Sequence, residues 1–183
     1  ESTFAAAQRI QEQLHIQKVC VLNFASATQP GGGFLHGRQA QEESLSRSSA
    51  LYASIKPQTE MYTYHKRHKD PLYTDYMIYS PKVPVIRNDN GDLIPPYYAS
   101  VITSAAVNFN QIIQSYYENK KYSNDNDDLF TTLNLNDSSH GGNDDDDDDI
   151  LNDQFLIDKQ VEARNVMFVR CQKILQLAIV KGD

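Results

Sequence analysis

Three consecutive glycines, Gly31-Gly32-Gly33, are followed after a seven-residue spacer by Gln41-Glu42-Glu43. What flanks this arrangement leaves few folds open. Val19-Cys20-Val21-Leu22-Asn23-Phe24-Ala25 reads as a buried strand, and Ser44-Leu45-Ser46-Arg47-Ser48-Ser49-Ala50-Leu51-Tyr52 as a helix. The glycines let the backbone adopt positive φ and come close to a ligand. Amides in such a loop and at the helix start suit anionic oxygens. Two carboxylates then stand beside whatever the loop holds, as a sugar or phosphate site requires.

The 183 residues fit one domain. Glu1 opens on a helical pattern with no initiator Met, so the chain reads as a fragment. No apolar run approaches the ~20 residues of a membrane-spanning helix, and no membrane partner is expected. Cys20 and Cys171 lie in apolar stretches and are expected as buried free thiols. A reducing compartment, cytoplasmic or nuclear, follows from that expectation. The net charge of −7 comes from one segment: residues 122–153 hold eleven Asp and no Lys or Arg. The rest carries 13 acidic against 17 basic residues, a net +4. That balance suits a polyanion-binding domain and is equally ordinary for a domain of this size.

A helix is expected over residues 2–15, capped by Ser2 or Thr3, with Phe4, Ala7, Ile10 and Leu14 on one face. A strand over 18–25 and a second helix over 41–54 follow. Residues 58–71 read as a polar, aromatic loop with some irregular helix. Short strands are expected over 76–79 and 83–87, then a turn at Asn88-Asp89-Asn90-Gly91-Asp92. Pro95-Pro96 sets off an apolar strand over 99–107. Residues 122–153 are low in complexity, with six consecutive Asp from Asp144. Like-charge repulsion and scarce apolar area make this an expected disordered surface insertion. The Asp run lacks the interleaved Gly and Asn of a calcium loop. A last helix over 154–179 carries Phe168, Cys171, Leu175 and Ala178 as its stripe. One domain, 1–121 with 154–183, is thus interrupted by the insertion, and alternating helices and strands make it α/β.

The Gly31-Gly32-Gly33 spacing to Gln41-Glu42-Glu43 resembles the signature of poly(ADP-ribose) glycohydrolases. Leu22-Asn23-Phe24-Ala25-Ser26-Ala27-Thr28-Gln29-Pro30 resembles the microbial-type branch of that family. So do Tyr73-Thr74-Asp75-Tyr76-Met77-Ile78-Tyr79-Ser80-Pro81 and Val101-Ile102-Thr103-Ser104-Ala105-Ala106. The resemblance implies a macrodomain-like three-layer sandwich with a mixed β-sheet. A C-terminal strand and a second glycine-containing phosphate loop of that family have no counterpart in this chain, so the expected domain is C-terminally truncated. The implied activity is hydrolysis of ribose–ribose O-glycosidic bonds to release ADP-ribose. The implied partner is poly(ADP-ribose) or an ADP-ribosylated protein, with no cofactor, no metal and no direct DNA binding. A non-catalytic ADP-ribose-binding module, or an inactive fragment, is the alternative.

By that resemblance Glu43 is the catalytic carboxyl, acid and then base. Glu42 positions ribose hydroxyls, and Gln41 shapes the pocket. The chemistry fits, because adjacent Glu residues on a helix point ~100° apart and so divide the work. Cutting the bond needs a proton for the leaving oxygen, stabilisation of an oxocarbenium-like centre and a base for water. Burial and a second carboxylate raise the acid's pKa, while a helix N-terminus lowers it. Asn23 either bonds ribose hydroxyls or satisfies the loop. Ser26 stands where related enzymes carry an Asn. Phe34 lines the pocket or packs.

Tyr73, Tyr76 and Tyr79 are candidates for adenine stacking and equally for core or strand pairing. Asn108 reads as turn-forming, and His36 as a polar loop tip. His65, His68 and Asp70 have metal-ligand spacing, but Lys66, Arg67 and Lys69 among them repel a cation. No Ser or Cys nucleophile with a His partner is evident.

Overall fold

The computed structural model describes residues 1–118 and 145–181. Of the expected insertion, residues 122–144 lie outside the described residues. The elements are α1 (Thr3–Gln13), β1 (Cys20–Ala25), a short 3-10 turn (Phe34–His36), α2 (Gln41–Ser48) and α3 (Leu51–Ile55). They continue with α4 (Thr59–His68), β2 (Met77–Arg87) and β3 (Leu93–Ala105). A helix α5 over residues 109–118 and α6 (Asp145–Lys181) complete them.

The sheet runs β1-β3-β2. β1 pairs parallel with β3, Cys20 opposite Ser100 through Ala25 opposite Ala105. β2 pairs antiparallel with β3, so the sheet is mixed. Alternation along the strands sends Val83, Val85, Ala99 and Val101 to one face, where they meet Phe4, Leu45, Leu51 and Ile55. Tyr79 points to the other face and donates from Oη to the Lys181 carbonyl of α6 at 2.9 Å. Helices therefore cover both faces, giving the three-layer α/β arrangement. β3 is buried from Val101 to Ala105, as its central place demands.

Several elements differ from expectation for definable reasons. Ser2 caps α1 by accepting Ala5 N at 3.1 Å, but Leu14 is the C-cap and stands exposed. The second helix breaks at Ser49, which is extended and bridges to Val85. Its Oγ donates to the Leu45 carbonyl and accepts from Leu51 N, a local alternative to helical bonding. Residues 59–68 form a regular helix because Met61, Tyr62 and His65 repeat on one buried face. The two short strands are one, β2, irregular between Ser80 and Val83 with Lys82 at φ 46°. Pro95 and Pro96 lie inside β3, in the half that pairs only with β2 because the pairing with β1 begins at Ser100.

α6 starts at Asp145, since extending a formed helix costs less than nucleating one. The stripe expected from Phe168, Cys171 and Leu175 faces outward: all three are exposed. Its inward face carries Ala163 and Arg170 instead. Arg170, 1% exposed, donates to the carbonyls of Ala105 (2.8 Å), Leu72 (2.9 Å) and Tyr73 (3.3 Å), and pairs with Asp75 at 3.1 Å. A ring of carbonyl acceptors calls for a donor-rich side chain at that place, not an apolar one. Cys20 is half-buried and both thiols are free, so the expectation of two buried cysteines fails at Cys171. No helix among the described residues is long and apolar enough to cross a membrane.

Candidate active site

β1 delivers the chain into a folded loop. Ser26 Oγ accepts from Thr28 N and Gln29 N, and the Gln29 carbonyl accepts from Gly32 N at 3.0 Å. Gly31 and Gly32 take φ of +72° and +57°, a left-handed pair that side chains resist. A Cβ on Gly32 would come 2.4 Å from Glu43 Oε1 and 3.2 Å from Glu42 Oε2. The middle glycine thus lies directly against both carboxylates.

Those carboxylates bind different parts of the loop. Glu42, 3% exposed, accepts from Ser26 N (2.7 Å), Gly31 N (3.1 Å) and Asn23 Nδ2 (3.3 Å). Burial pushes its carboxyl above the ordinary range, against the pull of those three donors, and the Glu43 charge adds to the rise. Glu43 accepts from Gly33 N (2.9 Å) and Ala40 N (3.2 Å). Its reach back to Ala40 N is one half of a capping box for α2. Burial raises Glu43, but the Gly33 amide, its own amide, Ala40 and Arg38 outweigh that and hold it below the usual range. Two adjacent carboxyls are driven apart in proton affinity, the pattern that acid–base sites exploit.

The other expected site residues have definite places. Asn23 is wholly buried and also donates to Thr103 Oγ1 at 3.2 Å, so its amide anchors Glu42 to the sheet. Ser26 reaches Glu42 through its backbone, while its hydroxyl folds the loop. Gln41 turns to β1: its amide donates to the Leu22 carbonyl (2.7 Å) and Thr3 Oγ1, and accepts from Phe24 N (2.7 Å). Phe34 packs edge-on against Tyr52 at 4.7 Å, beneath Gly31.

Tyr79 lies on the α6 side of the sheet, away from Asn23 and Glu42. Tyr73 and Tyr76 gather around His65 instead. Asn108 accepts from Gln111 N at the start of α5, and His36 is exposed. His65, His68 and Asp70 diverge, and the described residues contain no group of three or more metal-ligating side chains.

Residues not anticipated from the sequence are Thr103, Tyr62, Arg170 and the bridging role of His65. Thr103 stands opposite Asn23 in register, a relation invisible until the two strands are paired. The pKa of the buried Tyr62 hydroxyl is pushed up by burial and then by the Glu42 charge. His65 Nδ1 is 3.1 Å from the Ala27 carbonyl, while Nε2 accepts from Thr74 N at 3.0 Å. The imidazole is neutral in this geometry, and burial, then Arg170 and His68, keep its pKa below 6.5 against the opposing pull of Ala27 and Asp70. Between that lowered value and 6.5 the unfolded chain binds a proton that the folded chain does not. Stability should therefore fall as pH drops just below 6.5, and His65→Gln should flatten that slope. Urea melts across a pH series test this; an unchanged slope would assign the titration to another group.

Residues 1–88 match the family model for the microbial-type PARG catalytic domain. A search of curated protein sequences returned no match. The poly(ADP-ribose) glycohydrolase of Thermomonospora curvata bound to the inhibitor ADP-HPD is 51% identical with a TM-score of 0.59, covering 61% of this chain and 42% of its own. That of Deinococcus radiodurans in complex with ADP-ribose is 48% identical with a TM-score of 0.59, covering 64% and 47%. The chain thus spans less than half the length of these relatives. The glycine loop, the paired carboxylates and the mixed sheet agree with these matches: residues 1–88 are similar to the catalytic domain of microbial-type poly(ADP-ribose) glycohydrolases.

Proposed function

We propose that this chain supplies the glycine loop and the catalytic carboxyl of a poly(ADP-ribose) glycohydrolase. The observation that carries the reading is Gly32, seated against Glu43 and Glu42 with no room for a side chain. Relatives at about half identity hold ADP-ribose or ADP-HPD, which supports a ligand of that class here.

In this reading Glu43 is the acid and then the base. Unliganded, it is ionised and held by Gly33 N. An anionic ligand oxygen that accepts from Gly33 N removes that bond and brings negative charge close. Both changes raise the proton affinity of Glu43. Protonated, it gives its proton to the leaving ribose oxygen as the glycosidic C–O bond breaks. The resulting carboxylate takes a proton from water, whose hydroxyl joins the anomeric carbon. Glu42 secures the loop through Ser26 N and Gly31 N and offers its remaining lone pairs to ribose hydroxyls. The substrate is the free polymer or an ADP-ribosylated protein, met in the cytoplasm or nucleus.

The test is calorimetric titration of the full chain with ADP-ribose, alongside its incubation with labelled polymer. The parent should bind ADP-ribose and release it from polymer. Gly32→Val should weaken binding at least roughly tenfold, since each lost contact to an anion is worth about 1.5–3 kcal/mol. It should also cost the fold ~1–2 kcal/mol, because the left-handed φ penalises a Cβ. Binding without release would assign the chain as a non-catalytic module, with Glu43 serving only to hold Gly33 and cap α2. A folded parent that binds no ADP-ribose would overturn the reading.

A further inference from the structure

α4 has two faces with different work. Its inner face packs toward the loop: Tyr62 is buried, and His65 meets Ala27, four residues before Gly31. Its outer face carries an ordered aromatic surface. The His68 ring stacks on Tyr64 at 3.8 Å and 13°, fixed there by Nδ1 lying 2.9 Å from the Tyr64 carbonyl. Tyr76 meets Tyr64 edge-on at 5.5 Å, held by its Oη donating to Glu60. Each ring keeps an exposed side.

Cations surround these rings. Lys66 and Arg67 occupy the last turn of α4, and Lys69 closes it at φ 52°. All three are exposed and none has an acidic partner among the described residues. Arg67 is three residues from Tyr64, hence its neighbour on the helix surface. Nearby carboxylates are otherwise engaged: Glu60 accepts from Tyr76 and Asp70 from Leu72 N. Rings pre-ordered for stacking beside unneutralised cations match a ligand that carries bases and diphosphates together.

We propose that this surface is a second, non-catalytic contact for the polymer, holding a further ADP-ribose unit beyond the one at Gly32 and Glu43. The base stacks on Tyr64 or Tyr76, and the diphosphate lies against Lys66, Arg67 and Lys69. The proposal rests on the glycohydrolase reading of the site. His65 on the same helix meets the Ala27 carbonyl at the start of the glycine loop, so one continuous polymer is expected to serve both contacts.

The experiment uses the full chain carrying Glu43→Gln, so that polymer is not consumed. Monomeric ADP-ribose and a labelled poly(ADP-ribose) oligomer of several units are each titrated against this protein. Two surface variants are compared in the same background: Tyr64→Ala with Arg67→Ala, and Lys66→Glu with Arg67→Glu, which keeps every ring. Both variants should leave monomer affinity within about twofold and weaken the oligomer at least about tenfold. The salt dependence of oligomer binding should also become shallower. Unchanged oligomer affinity in both variants would overturn the proposal. So would equal losses for monomer and oligomer, which would make the surface part of the primary site or of the fold. An RNA single strand with the same number of phosphates is the control. If it binds the parent as tightly as the oligomer and loses as much in the variants, the surface is a general nucleic-acid contact and the proposal falls. If monomer fails to bind even the background protein, the reading of the site itself fails, a result distinct from loss of the oligomer increment alone.

Discussion

Glu43→Gln should lower the rate of ADP-ribose release from polymer by about 10²–10⁴-fold, the usual contribution of a positioned acid–base group. Affinity for ADP-ribose should stay within about tenfold. The amide keeps the shape of the carboxylate, and its oxygen still accepts from Gly33 N. It cannot give up a proton to the leaving oxygen or take one from water. Its NH₂ group also faces Ala40 N, two donors where a donor met an acceptor, so α2 should lose about 1 kcal/mol of capping. Single-turnover rates measured across pH separate these effects: the parent should show an ionisation that the variant lacks, while melting shifts only slightly. Comparable turnover by both proteins would remove Glu43 from the chemistry.

Arg170→Ala should destabilise the fold by about 3–5 kcal/mol, the range for removing one partner of a buried ion pair. The lower end is expected here, because Asp75 is 34% exposed and keeps Lys173. The larger share of the loss comes from the carbonyls of Ala105, Leu72 and Tyr73, which lose a common donor. Tyr73 sits at φ 55°, a strained place for an aromatic residue, and its carbonyl is held by this guanidinium. Arg170→Lys should recover only part of the stability, since one ammonium cannot reach acceptors spread around a planar fork. Acid adds a second check. Lys173, then Arg170, hold the Asp75 pKa below 3.8 despite its partial burial, so the stability it contributes is present above that value and lost as pH falls beneath it. Urea melts at neutral and acid pH measure both effects; a loss under about 1 kcal/mol for Arg170→Ala would show that the network is dispensable.

The glycine loop, β1 and the start of α2 were legible in the sequence because each rests on local chemistry. Glycines accept a left-handed turn, apolar residues run without interruption, and carboxylates gather where a helix begins. Local reasoning failed where partners are distant. Asn23 was open between ligand and loop until β3 brought Thr103 beside it and α2 brought Glu42. Tyr79 was grouped with Tyr73 and Tyr76 by composition, yet strand alternation sends it to the opposite face. Residues 59–68 looked irregular because their inward positions include a His and a Tyr. α6 was turned by about one residue because its best-buried position is an arginine, which no apolar periodicity reveals.

Gln41 has a consequence beyond the pocket. Among the described residues β1 pairs on one side only, and an unpaired strand side offers evenly spaced donors and acceptors. The Gln41 amide occupies the Leu22 carbonyl and the Phe24 amide together, as a single residue of a neighbouring strand would. The side chain next to the paired carboxylates therefore satisfies two backbone groups on that side of β1. Completing the strand's hydrogen bonds and fixing the start of α2 against β1 are here the work of one amide.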